Sequence, residues 1–355
     1  MPPSFRVTGG RPLSGTIRPA GNKNAALPIL AATLLADGPC RIDNVPRIRD
    51  VETLLALLQH VGATVHWQGP NTVEVDASRT EPKPLDPALC KEIRASILLA
   101  GPMLARFGRV TLPPPGGDVI GRRRVDTHFL ALEQLGAEVS VGDAYKLEGK
   151  LKAADIFLDE PSVTGTENAL MAAVRAPGTT VLRNAASEPH VQDLARFLVS
   201  LGAAIDGIGS NTFTIEGGRP LKAAAHTVGP DHIEVGSFIG LAAVTGGAVT
   251  IDGVRGDDLR STLLAFERLG VRPRLDGAKL IVDADQERRI RPDLGGHVPK
   301  LEDGPWPAFP ADLMSIAIVV ATQCEGLGQI ERGYEHIDER LRALGAQIER
   351  RDGAR

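Results

Sequence analysis

One pattern recurs five times along this 355-residue chain: an amphipathic stretch that closes on Leu/Val-Gly-Ala or a near variant. The copies are LLALLQHVGATV, FLALEQLGAEV, LARFLVSLGAAI, LLAFERLGVRPRL and RLRALGAQI. Their glycines are Gly62, Gly136, Gly202, Gly270 and Gly345, at intervals of 74, 66, 68 and 75 residues. A period of this length marks stacked supersecondary units. Each glycine falls where a helix would end in a left-handed cap, a conformation that suits a residue without Cβ. Alternating runs such as NTVEVDA and NTFTIEG follow and read as strands. Upstream lie a short apolar strand and an earlier apolar helix, as in ALPILAATLLA before CRIDNV. Each unit therefore reads helix, strand, helix, strand, strand.

Helices such as ALPILAATLLA are apolar on nearly every side, and such helices are normally buried. Several of them packed together, with sheets outside, predict an α/β fold with a helical core. The irregular intervals argue against an open solenoid.

The pattern has two irregularities. Gly38 to Gly62, Gly178 to Gly202 and Gly246 to Gly270 each span 24 residues, whereas Gly108 to Gly136 spans 28. The excess falls around PPPGGD, so one unit carries an inserted loop, residues 113–121. Gly326 to Gly345 spans only 19 residues. There EGLGQIERGYE offers no apolar strand where one is due.

The net charge of −4 leaves no footprint for nucleic acid. No apolar run reaches the roughly 18 residues of a membrane span, and the first ten residues lack a signal-peptide core. The three cysteines, Cys40, Cys90 and Cys324, are odd in number and widely spaced, which predicts a reducing, cytoplasmic setting. The eight histidines form no HxxxH or HExxH pair, so a catalytic metal is not expected.

Several segments carry chemistry. In AGNKNAALP, Asn22, Lys23 and Asn24 precede an apolar helix, whose N-terminus with a lysine suits a phosphate or carboxylate. A plain cap and a solvated lysine fit the same residues. Arg94, in KEIRASILLAGP, holds the comparable place one unit later, as an anion ligand or as a surface partner of Glu92. In PPPGGDVIGRRRVDTH, prolines stiffen the chain and Gly116-Gly117 free it, which describes a mobile lid with Asp118 at its tip. Arg122, Arg123 and Arg124 follow, then Val125, Asp126, Thr127 and His128. Arginines bind phosphate in bidentate fashion, and a lid carboxyl can move a proton once water is excluded. Asp312, in PAFPADLMS, is a helix cap or a base. Arg332, in IERGYEHIDERL, is a carboxylate ligand or a partner of Glu331 or Glu335.

AGNKNAALPILAATLLA, IRASILLAGPMLARFG, PGGDVIGRRRVDTHFLALEQLGA, PDHIEVGSF, PAFPADLMS and IERGYEHIDERLRALGA together resemble the UDP-N-acetylglucosamine 1-carboxyvinyltransferase family, in that family's order and over nearly the whole chain. The related shikimate-pathway enolpyruvyl transferases open on a Ser-Lys-Ser type segment, where this chain has Asn-Lys-Asn. The resemblance implies a two-domain inside-out α/β barrel with three units per domain and the active site between the domains. It implies a first domain of residues 21–229 and a second of 1–20 plus 230–355. Five units are visible of the six expected, with about one lost near 326–328.

The resemblance also implies transfer of the enolpyruvyl group of phosphoenolpyruvate to the 3-hydroxyl of UDP-N-acetylglucosamine, without a cofactor. Lys23 and Asn24 would contact phosphoenolpyruvate, and Arg94 and Arg123 would serve the anionic substrates. Residues Arg123, Arg124, Val125, Asp126 and Thr127, with Ser162 and Val163, would hold the uridine diphosphate. Asp312 would lie by the 3-hydroxyl, and Arg332 would reach the carboxylate or phosphate. Asp118 matches the family's lid cysteine, which protonates the methylene carbon or assists product release.

Overall fold

The computed structural model describes residues 6–117, 124–326, 329–330, 337–343 and 347–348. The chain divides into two compact units, Ala20–Gly229 and a discontinuous unit of Met1–Pro19 with Pro230–Arg355.

In Ala20–Gly229 the order helix, strand, helix, strand, strand occurs three times. The first copy is Lys23–Ala32, Cys40–Asp43, Arg49–His60, Thr64–Trp67 and Val73–Asp76. The second runs from the 3-10 turn Arg94–Leu99 and helix Ala100–Phe107 through Arg109–Leu112, Asp126–Gln134 and Glu138–Val141 to Tyr145–Glu148. The third is Val163–Ala173, Gly178–Arg183, Pro189–Leu201, Ala204–Asp206 and Thr212–Gly217.

The closing glycines work as their positions predict. Gly62, Gly136 and Gly202 have φ of 103°, 101° and 112°. Each donates its N–H to the carbonyl three residues back (Gln59, Glu133, Val199), while the next residue donates five back, to Leu58, Leu132 and Leu198. This pair of bonds ends a helix and turns the chain into the following strand. Gly270, with φ of 76°, repeats the arrangement in the other unit. Gly345 lies outside the described residues.

Sheets lie outside and helices inside. Cys40–Asp43 pairs antiparallel with Val73–Asp76, which pairs with Thr64–Trp67, and Ala225–Thr227 adds a parallel strand at the far edge. Register sets Cys40 opposite Val75 and Ile42 opposite Val73, all four fully buried, while Arg41 and Glu74 point outward. The period-two alternation of a half-buried sheet is thus written in the sequence. The third copy forms the same sheet, with Asp155–Phe157 as its parallel edge. Against these sheets pack the apolar helices. Lys23–Ala32 is buried from Ala25 to its end, and Val163–Ala173 from Gly165 to its end.

Among the described residues, Gly15–Ile17, Val249–Asp252, Lys279–Val282 and Arg274–Asp276 form a four-stranded sheet in the discontinuous unit, its first pair parallel. Its apolar helices His232–Thr245 and Met314–Ala321 meet closely because Gly236 and Gly240 lack side chains. A Cβ at either would come within 2.4 Å of Leu313 or Ile316. Here burial is incomplete: Leu241 remains 42% and Val319 52% exposed. The stretch expected to lack a strand does contain one, two residues long. Gln329–Ile330 pairs parallel with Lys300–Leu301. A local hydrophobicity pattern misses so short a strand, because the partner's backbone supplies its ladder.

Candidate active site

Asn22 is the cap of the first helix. Its side chain accepts from the N–H groups of Asn24 (2.8 Å) and Ala25 (3.1 Å). Gly21 admits the turn, since a Cβ there would lie 1.7 Å from the Asn44 carbonyl oxygen. Lys23 follows with Nζ 3.1 Å from the Asp50 carboxylate, both side chains about 40% exposed (43% and 40%). Such a solvated pair contributes only about 0–1 kcal/mol, so an incoming anion can displace it. Asn24 is exposed.

Arg94 does not pair with Glu92. That carboxylate sits 3.5 Å from Arg49 and accepts from the Thr53 hydroxyl. Arg94 instead donates to the Arg124 carbonyl at 3.1 Å, which ties it to the C-terminal flank of the inserted loop.

The loop's first flank departs from the expected freedom of Gly116-Gly117. Gly116 donates to the Cys90 carbonyl (2.9 Å) and Gly117 to that of Lys91 (3.2 Å). A Cβ on Gly116 would stand 1.8 Å from the Lys91 oxygen, and one on Gly117 2.8 Å from the Arg94 nitrogen. Gly116 is therefore there for close packing and Gly117 for both close packing and its φ of 84°, and the pair seats the base of the loop on the segment that carries Arg94.

A second physical cause launches the loop at this place. In other copies the residue after the first strand takes positive φ, at Asn44 (57°), Asn184 (54°) and Gly253 (85°). The equivalent position here is Pro113, whose ring forbids that turn.

Beyond the loop, Arg124 is held by carboxylates. Its Nε lies 2.9 Å from Asp126 and its Nη2 2.8 Å from Asp159. The buried Thr127 donates its hydroxyl to Asp159 at 2.7 Å. That bond, and then Arg124, hold the Asp159 carboxyl below the usual range. Ser162 caps the next helix by accepting from the Gly165 N–H, and Val163 is its first residue. A Cβ on Gly165 would meet Ser162 Oγ at 3.0 Å and Thr127 Cγ2 at 3.1 Å. Arg94, Arg124, Val125, Asp126, Thr127, Ser162 and Val163 thus belong to one neighbourhood. The carboxylates around Arg124 show it to be an organiser of that neighbourhood as much as a ready anion ligand.

Asp312, in the other compact unit, is exposed within the 3-10 turn Ala311–Leu313 and makes no side-chain cap. Its neighbour Leu313 is fully buried. Burial pushes the His232 imidazole down, against the opposing charges of Asp231 and Asp312. Asp118, Arg123 and Arg332 lie outside the described residues.

His128, named with the basic run, lies in the core, as do two polar residues not singled out from the sequence, Asn168 and Glu167 on one helix. His128 and Asn168 are buried and hydrogen-bonded to each other at 2.8 Å. Glu167 is buried, and burial, then Glu188, pushes its carboxyl well above the usual range. Their signal was present, because ENALMAAV sets two polar side chains at the head of an otherwise apolar helix, where burial demands partners. Among the described residues no group of His, Cys, Asp and Glu could hold a metal ion, and no helix is long and apolar enough to cross a membrane.

Residues 7–355 match the family model of EPSP synthase (3-phosphoshikimate 1-carboxyvinyltransferase). A UDP-N-acetylglucosamine 1-carboxyvinyltransferase of Bradyrhizobium diazoefficiens is 59% identical over 352 residues, covering 98% of this chain and 82% of the relative. The chain belongs to the UDP-N-acetylglucosamine 1-carboxyvinyltransferase family. The same-named protein of Treponema denticola is 48% identical over 349 residues, 97% of this chain and 82% of that relative. The enolpyruvyl transferase NikO from Streptomyces tendae shares the fold, with a TM-score of 0.77 at 24% identity, over 95% of this chain and 80% of that one. EPSP synthase from Acinetobacter baumannii shares it at 0.68 and 17%, over 91% and 74%.

His128 is expected to make stability depend on pH. Burial, then the Arg94 charge, pushes its imidazole down to about 3. In an unfolded chain it titrates at about 6.5. Between those values the unfolded state binds a proton that the folded state does not. The contribution is therefore complete above about 6.5 and shrinks as pH falls, by about 1.4 kcal/mol per unit. Thermal melts at pH 7 and pH 5 should differ accordingly, and His128→Gln should narrow the gap. A gap of the same size in the variant would assign the titration to other groups.

Proposed function

We propose that this chain transfers the enolpyruvyl group of phosphoenolpyruvate to the 3-hydroxyl of UDP-N-acetylglucosamine and releases phosphate, the first committed step of peptidoglycan synthesis, in the cytoplasm. The match to relatives of that name along nearly the whole chain carries the reading. The cation-bearing neighbourhood of Arg94 and Arg124 supports it.

In this reading the 3-hydroxyl oxygen bonds to the carbon that bears the phosphate, and a proton joins the methylene carbon. Loss of phosphate and of a methyl proton from the tetrahedral intermediate then restores the vinyl group. Asp312 takes or orients the hydroxyl proton. Asp118 supplies the proton to carbon, a role a carboxylic acid can fill when desolvation raises its pKa. Lys23, Asn24 and Arg332 bind phosphoenolpyruvate. Arg94, the run Arg123 to Thr127, Ser162 and Val163 bind the sugar nucleotide.

Arg123→Ala should weaken UDP-N-acetylglucosamine binding by about 1.5–3 kcal/mol, the size of a charge-assisted hydrogen bond. Calorimetry that finds an unchanged dissociation constant would remove Arg123 from the site.

A second reading has its own support. The matches leave 18% of each relative uncovered (82% covered), and the helices of the discontinuous unit expose Leu241 and Val319. Both fit a chain that lacks about one unit near 326–328, binds the sugar nucleotide and turns over slowly or not at all. Phosphate release in the presence of both substrates separates the two readings.

A further inference from the structure

Behind Ser162 and Val163 runs a chain of hydrogen bonds whose directions are all determined. Asn168 Oδ1 accepts from the Gly101 N–H at 2.7 Å, and Asn168 Nδ2 donates to the Ile97 carbonyl at 2.9 Å. Backbone on both sides therefore fixes which end of the amide is which. The second Nδ2 hydrogen faces His128 Nδ1 at 2.8 Å. An NH2 group has no lone pair to offer, so Nδ1 must accept. A neutral imidazole then carries its proton on Nε2, 3.0 Å from the Thr164 hydroxyl oxygen. That oxygen must accept, which points the hydroxyl's own proton away from the histidine.

Two surroundings keep the ring from taking a second proton. It is enclosed, and the Arg94 charge opposes protonation. Thr164 is the second residue of the helix Val163–Ala173 and is half-buried, so one side of it faces outward. Among the described residues its hydroxyl proton meets no protein acceptor.

We infer that His128, locked by Asn168 as the Nε2-protonated tautomer, is a positioning residue that keeps the Thr164 hydroxyl proton turned away from the core and available to the diphosphate of the sugar nucleotide. The inference rests on the proposed function for the identity of the ligand. The lock itself stands on this chain's geometry. A hydroxyl that can rotate between donating and accepting tolerates either kind of ligand atom. One that already accepts from an N–H keeps its proton uncommitted and has one lone pair fewer, which biases it towards an anionic oxygen.

Long-range proton–nitrogen NMR on histidine-labelled protein reads the lock. The expected signal for His128 is a bare Nδ1 and a protonated Nε2, unchanged in Thr164→Val. A protonated Nδ1 overturns the inference. Calorimetry reads the contact. Thr164→Val should bind UDP-N-acetylglucosamine on the order of ten-fold more weakly, Thr164→Ser should bind like the parent, and affinity for phosphoenolpyruvate should not change. Parent-like binding of the sugar nucleotide by Thr164→Val also overturns it. A parent chain that binds no UDP-N-acetylglucosamine refutes the proposed function and the donor role of Thr164 together, while the tautomer signal still decides the lock.

Discussion

Replacing Asp118 by Asn is expected to lower the rate of phosphate release by about 10²–10⁴-fold, the usual contribution of a positioned proton donor. Asn has the same shape and no transferable proton, so folding and sugar-nucleotide affinity should survive. Asp118→Cys should retain turnover, since a thiol can also donate. The parent carboxylate and the variant thiol differ in nucleophilicity. A thiolate opens the epoxide fosfomycin, and a carboxylate does so poorly. Mass spectrometry should therefore find a covalent adduct on the Cys variant and none at Asp118 of the parent chain. An adduct on the parent, or full turnover in Asp118→Asn, would take the proton-transfer role away from this residue.

Limited proteolysis should begin beyond residue 230 and leave a resistant fragment near 20–229. In that fragment each apolar helix is enclosed, as Lys23–Ala32 and Val163–Ala173 demonstrate. The other unit leaves Leu241 and Val319 partly in water, and each apolar side chain left exposed forgoes up to about 1.5–3 kcal/mol of burial. Exposed apolar flanks of this kind also promote association. Equal resistance of the two units would show that five units close the fold as well as six.

What the sequence makes legible depends on whether the cause is local. The cap at Gly62 is a local event, and so its recurrence at Gly136, Gly202 and Gly270 was readable with its consequences for helix ends and strand starts. Burial of ALPILAATLLA was readable because an apolar surface on all sides has no other place to go. Gly116-Gly117 was half-legible: Gly117 does use its freedom, at φ 84°, while Gly116 is set by the Lys91 carbonyl, which is remote in the chain. The partner of Arg94 was unreadable for a similar reason: Glu92 is adjacent in sequence but already engaged by Arg49 and Thr53. Asn168 and His128 were visible as polar residues, yet the direction of each hydrogen bond came only from the Gly101 and Ile97 backbone.

The parallel edge strands impose an order of events during synthesis. Ala225–Thr227 pairs with Cys40–Asp43, so the sheet that opens Ala20–Gly229 is completed by the last strand of the same unit. Once that strand has left the ribosome, everything the unit needs is present, and it can fold while the rest is being translated. Gly15–Ile17 emerges before the other unit, yet its partner Val249–Asp252 comes only after the whole of that unit. This early strand must wait unpaired while a complete neighbour forms behind it, which makes the discontinuous unit the later and slower one to assemble.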